Sequence, residues 1–170
     1  MAEPLAARLR GLLGADVYSA KGRLRADDLL VRERACHSLG DAAAQVKKLS
    51  SRWRAERVPP STREQPFPPA AVMEPLRRAE RLARAIDDAA TDIRGLPLLS
   101  ADKVWDRVRG GLGLNELLQF DWTLVAEADA VAEAAARAAD LAALDPTTMD
   151  EHLTALKGVI ADRRRFLQIT

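Results

Sequence analysis

Apolar residues recur every three or four positions along most of this chain, the spacing that lays a single stripe along an α-helix. The clearest stripe is Val31, Ala35, Leu39, Ala42, Val46, Leu49 and Trp53. It approaches a heptad seam, so it predicts a helix from about Leu24 to Arg57 that needs a partner helix. Pro59 and Pro60 stop it, because proline lacks the amide proton and crowds the preceding turn. Val72, Leu76, Ala79, Ala83, Ile86, Ala90 and Ile93 predict a second long helix over 71–94, with Pro75 placed in its first turn. Gly95 and Pro97 end it.

Leu117, Phe120, Leu124, Ala128, Val131, Ala135, Ala138 and Ala142 predict a third helix over 115–143, broken at Asp145-Pro146. Its second half is nearly all alanine, which lets a neighbouring helix approach closely. Met149, Leu153, Leu156, Ile160 and Leu167 predict a fourth helix ending near Leu167. Thr148 and Glu151 have the spacing of a capping box at its start. Arg163 falls on the fourth stripe and interrupts it.

Shorter elements fill the gaps. Residues 4–13 predict a short amphipathic helix, and 1–23 form an N-terminal helix-and-loop segment. Ser100 has the character of an N-cap for a short helix over 101–109, followed by a glycine link at Gly110, Gly111 and Gly113. Residues 58–70 carry five prolines and predict a stiff, extended connection. Together these elements predict an all-α chain: an antiparallel up-down-up-down four-helix bundle with short accessory helices, one domain over 1–170. Trp105, Phe120, Trp122 and Phe166 are expected to plug one end of the bundle, and Trp53 and Phe67 the other.

Composition agrees with this picture and adds location. The chain is rich in Ala, Leu, Arg and acidic residues and poor in aromatics, the usage of long helices. The abundance of Ala and Arg also suggests a high-GC bacterial source. Cys36 is the only cysteine, so no intramolecular disulfide can form, which favours a reducing compartment. Charges at Glu3, Arg8 and Arg10 interrupt the start, so it lacks the apolar run of a secretory signal. No stretch of ~18 uncharged apolar residues occurs. A soluble, cytoplasmic protein is the expectation.

The formal net charge of +1 conceals a strong polarity. Residues 47–84 hold ten basic and four acidic side chains, whereas 115–151 hold one basic and nine acidic. The basic residues Lys47, Lys48, Arg52 and Arg54 end the first long helix, and Arg77, Arg78, Arg81 and Arg84 begin the second. An antiparallel hairpin would bring both sets to one end. They form the candidate interaction patch, unless the acidic third helix lies beside it and neutralises it.

Candidate chemistry is sparse. Glu33, His37 and Asp41 share a helix face, but they span two turns and cannot clasp one ion, so a solvated polar face is expected. Cys36 and His37 are adjacent and point about 100° apart on a helix, so Cys36 is read as a small buried thiol. Asp27-Asp28 and Asp87-Asp88 are read as solvated pairs, and Asp27-Asp28 could help the first helix begin. Arg163-Arg164-Arg165 is expected near Asp87, Asp88 and Asp92. Arg63-x-x-Pro66-x-x-Pro69 resembles the spacing that proline-reading modules bind, but a rigid inter-helix strap is the expected role. No catalytic, cofactor or metal site is assigned.

Three functions follow in order. The first is a non-enzymatic protein–protein interaction module serving as adaptor, scaffold or assembly subunit, with a protein partner or self-association. The second is an anionic-surface binder, of nucleic acid or acidic membrane, through the basic cluster 47–84. The third is a small-ligand binder or enzyme with a pocket at the Trp105/Phe120/Trp122 end.

Overall fold

The structure, a computed structural model, describes residues 5–13, 24–97 and 112–168. These are all helical apart from the connections, and five helices pack together: α1 (Leu5–Leu13), α2 (Leu24–Arg57), α3 (Ala70–Arg94), α4 (Leu112–Arg137) and α5 (Pro146–Gln168). The expected helix over 101–109, with Trp105 and most of the glycine link, lies outside the described residues.

The α2 seam is buried as its spacing implies. Val31, Ala35, Leu39, Ala42, Val46 and Leu49 all lie in the core, and each large member contributes about 1.5–3 kcal/mol through burial. Leu76, Ala79, Ala83, Ile86, Ala90 and Ile93 meet them from α3. The two helices run antiparallel: Arg32 reaches the carbonyl of Leu96, and at the far end the Trp53 indole donates to the carbonyl of Val72 at 3.0 Å. α2 also packs on α4, α4 on α5, and α5 on α3, while α1 rests against α4.

A second cluster joins α1 to the start of α4 and the end of α5. Leu9, Leu117, Leu118, Phe166 and Leu167 are buried in it. Phe120 meets Phe166 edge-on with ring centroids 5.7 Å apart, and the Arg8 guanidinium lies 3.9 Å over the Trp122 ring.

Several boundaries differ from expectation. α4 starts at Leu112 and stops at Arg137, six residues short of the 143 that the alanine run suggests. There the Asp140 carboxylate accepts from the Ala143 amide at 2.9 Å, and the chain turns Leu141 and Leu144 into the core. A side chain that satisfies the backbone locally competes with helix, and the two buried leucines reward the turn. α5 begins at Pro146, and Asp145 rather than a Thr148–Glu151 box caps it. Asp145 Oδ1 accepts from the amides of Thr147 and Thr148, and Oδ2 accepts from the Thr148 hydroxyl at 2.7 Å. Proline suits the first helical position, because its missing donor would have no partner there. Pro75 lies in the second turn of α3, not the first, because α3 starts at Ala70. It removes one helical hydrogen bond, and the helix continues because Leu76 and Ala79 beside it are buried against the core.

The proline connection is not one extended coil. Thr62 donates its amide to the Gln65 carbonyl, and Gln65 donates back to the Thr62 hydroxyl, so the chain bends at Arg63 and Glu64 and again at Phe67. Phe67 is 81% exposed and plugs nothing. Trp53 is half-buried, as a plug at that end would be.

Candidate interaction face and a buried ion network

The antiparallel α2–α3 pair brings Lys47, Lys48, Arg52 and Arg54 to the same end as Arg77, Arg78, Arg81 and Arg84, and all eight are exposed. They do not form one flat patch. Lys47, Arg54 and Arg84 line a groove of about 680 Å³ between α2 and α3, with Ser50, Ser51, Ala55, Ala79 and Ala83 below them. Arg78 and Arg81 face the other way, lining a cleft against Pro146, Thr147 and Asp150 of α5. Arg52 leans toward α4 and donates to the carbonyl of Ala139 at 3.5 Å. The cluster is therefore a belt around one end.

The acidic helix does not neutralise this belt. Among the described residues its carboxylates pair elsewhere: Asp129 with Arg34 at 3.0 Å, Glu127 with His152 at 2.7 Å and Glu133 with Arg137 at 2.8 Å. The belt's own helices supply its counter-charges. Lys47 pairs with Asp87 and Arg54 with Glu80, each at 2.9 Å across the groove, and Arg81 approaches Glu74 at 3.6 Å. Exposed pairs of this kind contribute only about 0–1 kcal/mol, because water screens them and two long side chains must be held still. Among the described residues Lys48, Arg52, Arg77, Arg78 and Arg84 have no carboxylate within ion-pair distance.

At the opposite end the structure holds a network that the sequence pattern did not reveal. Asp28 and Asp121 are completely buried and Arg163 is 1% exposed. Arg163 Nε donates to Asp121 at 2.8 Å, and a terminal guanidinium nitrogen of Arg163 donates to Asp28. Asp28 also meets Arg32 at 2.8 Å, one turn along α2. Arg32 then donates to the carbonyls of Leu96 and Pro97, both at 2.6 Å, where α3 has ended. Among the described residues two carboxylates thus face two guanidiniums, and these side chains tie together α2, α4, α5 and the exit of α3.

This corrects two expectations. Asp27 and Asp28 are buried, not solvated. Arg163 does not interrupt the α5 stripe but carries a buried charge in it. Among the described residues Asp87 pairs with Lys47, and Arg165 with Asp162 on its own helix at 3.6 Å. The sequence spacing carries the signal for this pairing. Asp121 stands four residues after Leu117 and three before Leu124, on the α4 seam, as Arg163 stands on the α5 seam. Opposite charges at seam positions of different helices are candidates to meet.

The other candidates fall where their surroundings put them. His37 Nε2 lies 3.4 Å from Asp41 on a well-exposed face. Cys36 is half-buried, its thiol directed at the Ala90 carbonyl 3.5 Å away. Burial pushes that thiol's pKa above its ordinary value, against the lowering influence of Arg94 and Arg32. Among the described residues no three His, Cys, Asp or Glu side chains converge tightly enough to hold a metal ion. No helix among them is long and apolar enough to cross a membrane.

No protein-family model matches this chain, and no curated protein and no solved structure is detectably similar to it.

Proposed function

We propose that the chain is a non-enzymatic protein–protein interaction module, an antiparallel up-down-up-down four-helix bundle acting in the cytoplasm as an adaptor, scaffold or assembly subunit. One observation carries this reading: the basic belt is exposed, and Lys48, Arg77, Arg78 and Arg84 have no internal carboxylate among the described residues. Arg is favoured at protein interfaces because its planar fork binds carboxylates in two-pronged fashion. An acidic protein surface is therefore the complement that this end fits.

A second reading, an anionic polymer or membrane surface, draws on the same free cations. It is weaker, because three of the eight belt cations already have carboxylate partners.

The test is capture from a lysate of the native cells by the wild-type chain and by a Lys48→Glu/Arg77→Glu/Arg78→Glu/Arg84→Glu variant. Proteins retained by the first and lost by the second, at equal thermal stability, are the expected result. Equal retention by both, or retention of nucleic acid alone, would contradict the proposal.

A further inference from the structure

The α2–α3 groove differs from the rest of the belt in shape and in chemistry. Between its charged residues it is lined by the small side chains Ser50, Ser51, Ala55, Ala79 and Ala83. Its edges are charged. Lys47–Asp87 and Arg54–Glu80 bridge it from helix to helix, and the two bridges are seven residues apart on both strands of the hairpin, two helical turns. Arg84 stands between them on α3, four residues beyond Glu80 and three before Asp87, and has no carboxylate of its own among the described residues.

We infer that this groove receives an acidic amphipathic helix of a partner protein. This rests on the interaction reading above and assigns that reading a site and a partner chemistry. A channel between two antiparallel helices is the space that another helix fills by laying its ridge of side chains into it. The two-turn spacing of the bridges matches the repeat of such a helix. Carboxylates one or two turns apart on the incoming helix meet Arg84 first, because it is free. They then compete with Asp87 and Glu80 for Lys47 and Arg54, an exchange that costs little because the bridges are exposed and weak. The small face of the incoming helix covers Ser51 and Ala55, the exposed small side chains of the groove. A flexible acidic chain would satisfy the cations but not the channel. A phosphate backbone or lipid surface would meet Lys48, Arg77 and Arg78 as readily as the groove.

The test uses the full chain and a labelled synthetic helix of about 20 residues, roughly 30 Å long, with glutamates flanking an Ala/Leu face. Fluorescence anisotropy is compared with a scrambled peptide of the same composition, a short DNA duplex and phosphatidylserine vesicles. The amphipathic helix should bind saturably, and the scrambled one at least about tenfold more weakly, a difference of about 1.4 kcal/mol. Arg84→Glu and Ser51→Trp should each weaken binding by about tenfold or more, the first by reversing a central charge and the second by filling the channel from an exposed position. Lys157→Glu, on exposed α5 surface, should change nothing. Equal binding of both peptides, no effect of Ser51→Trp, absence of binding, or preference for DNA or vesicles would each overturn the groove assignment. If the cellular capture described above survives Ser51→Trp, the groove assignment fails while the interaction reading stands.

Discussion

Arg163 near the end of α5 donates to Asp28 near the start of α2, across 135 residues of sequence, with both side chains shut away from water. Taking such charges out of water costs several kcal/mol per ion, and only close opposite charges offset it. Replacing Arg163 with Met leaves Asp28 and Asp121 buried without their shared cation. Breaking a buried pair in this way costs about 3–5 kcal/mol, which urea unfolding should register as a large drop in midpoint. The Asp121→Leu/Arg163→Met double variant removes one charge of each sign and keeps the Asp28–Arg32 pair. It should recover most of the loss. A single variant costing under about 1 kcal/mol would mean that the charges are effectively solvated.

Asp145 ties pH to the start of α5. The Thr148 hydroxyl, then the Thr148 amide and, more weakly, the Thr147 amide hold its pKa below the ordinary carboxylate value. A carboxylate whose folded pKa is depressed stabilises the fold above its unfolded pKa and loses that contribution as pH falls through the folded value. Asp145→Ala should therefore melt at lower temperature than wild type at neutral pH. The gap should narrow in acid below the usual carboxylate range. A gap that stays constant across that range would show that the charge contributes nothing to the cap.

Cys36 should be a slow thiol. Its raised pKa leaves less thiolate at mildly alkaline pH, and the Ala90 carbonyl occupies its proton. Reaction with an aromatic disulfide reagent should be slower in the folded chain than in urea, and the ratio should shrink as pH rises. Equal rates at pH 8 would contradict the half-buried placement.

Phe67 should be dispensable for stability. Because the ring is 81% exposed, Phe67→Ser should change unfolding free energy by no more than about 0.5 kcal/mol. A bundle plug would instead cost about 3–5 kcal/mol on truncation.

These cases show which features were legible in the sequence. The termini of α2 came directly from its seam and the prolines after Arg57, because apolar spacing and backbone restriction are local properties. The end of α4 was not legible. The alanine run permits helix to 143, and only the buried positions of Leu141 and Leu144 make the turn after Arg137 favourable. Arg163 was visible on its seam but read as an interruption, because a seam specifies a face and not what lies opposite. Asp28 and Asp121 had to be placed by packing. The basic belt was legible as a set of residues at one end, yet its division among three faces depends on how α4 and α5 flank the hairpin. Which cations remain free depends on Asp87, Glu80 and Glu74, acids within the hairpin that a segment-wide charge balance averages away.

Photo-cross-linking in the native cells tests most directly whether this end binds a protein partner, with a photoreactive residue at position 48, 77 or 78 of the belt and, for comparison, at 157 on α5. The expected result is discrete protein adducts from the belt positions and none from 157. Adducts from 157 alone, or none from any belt position, would contradict a role for this end of the molecule in binding a protein partner.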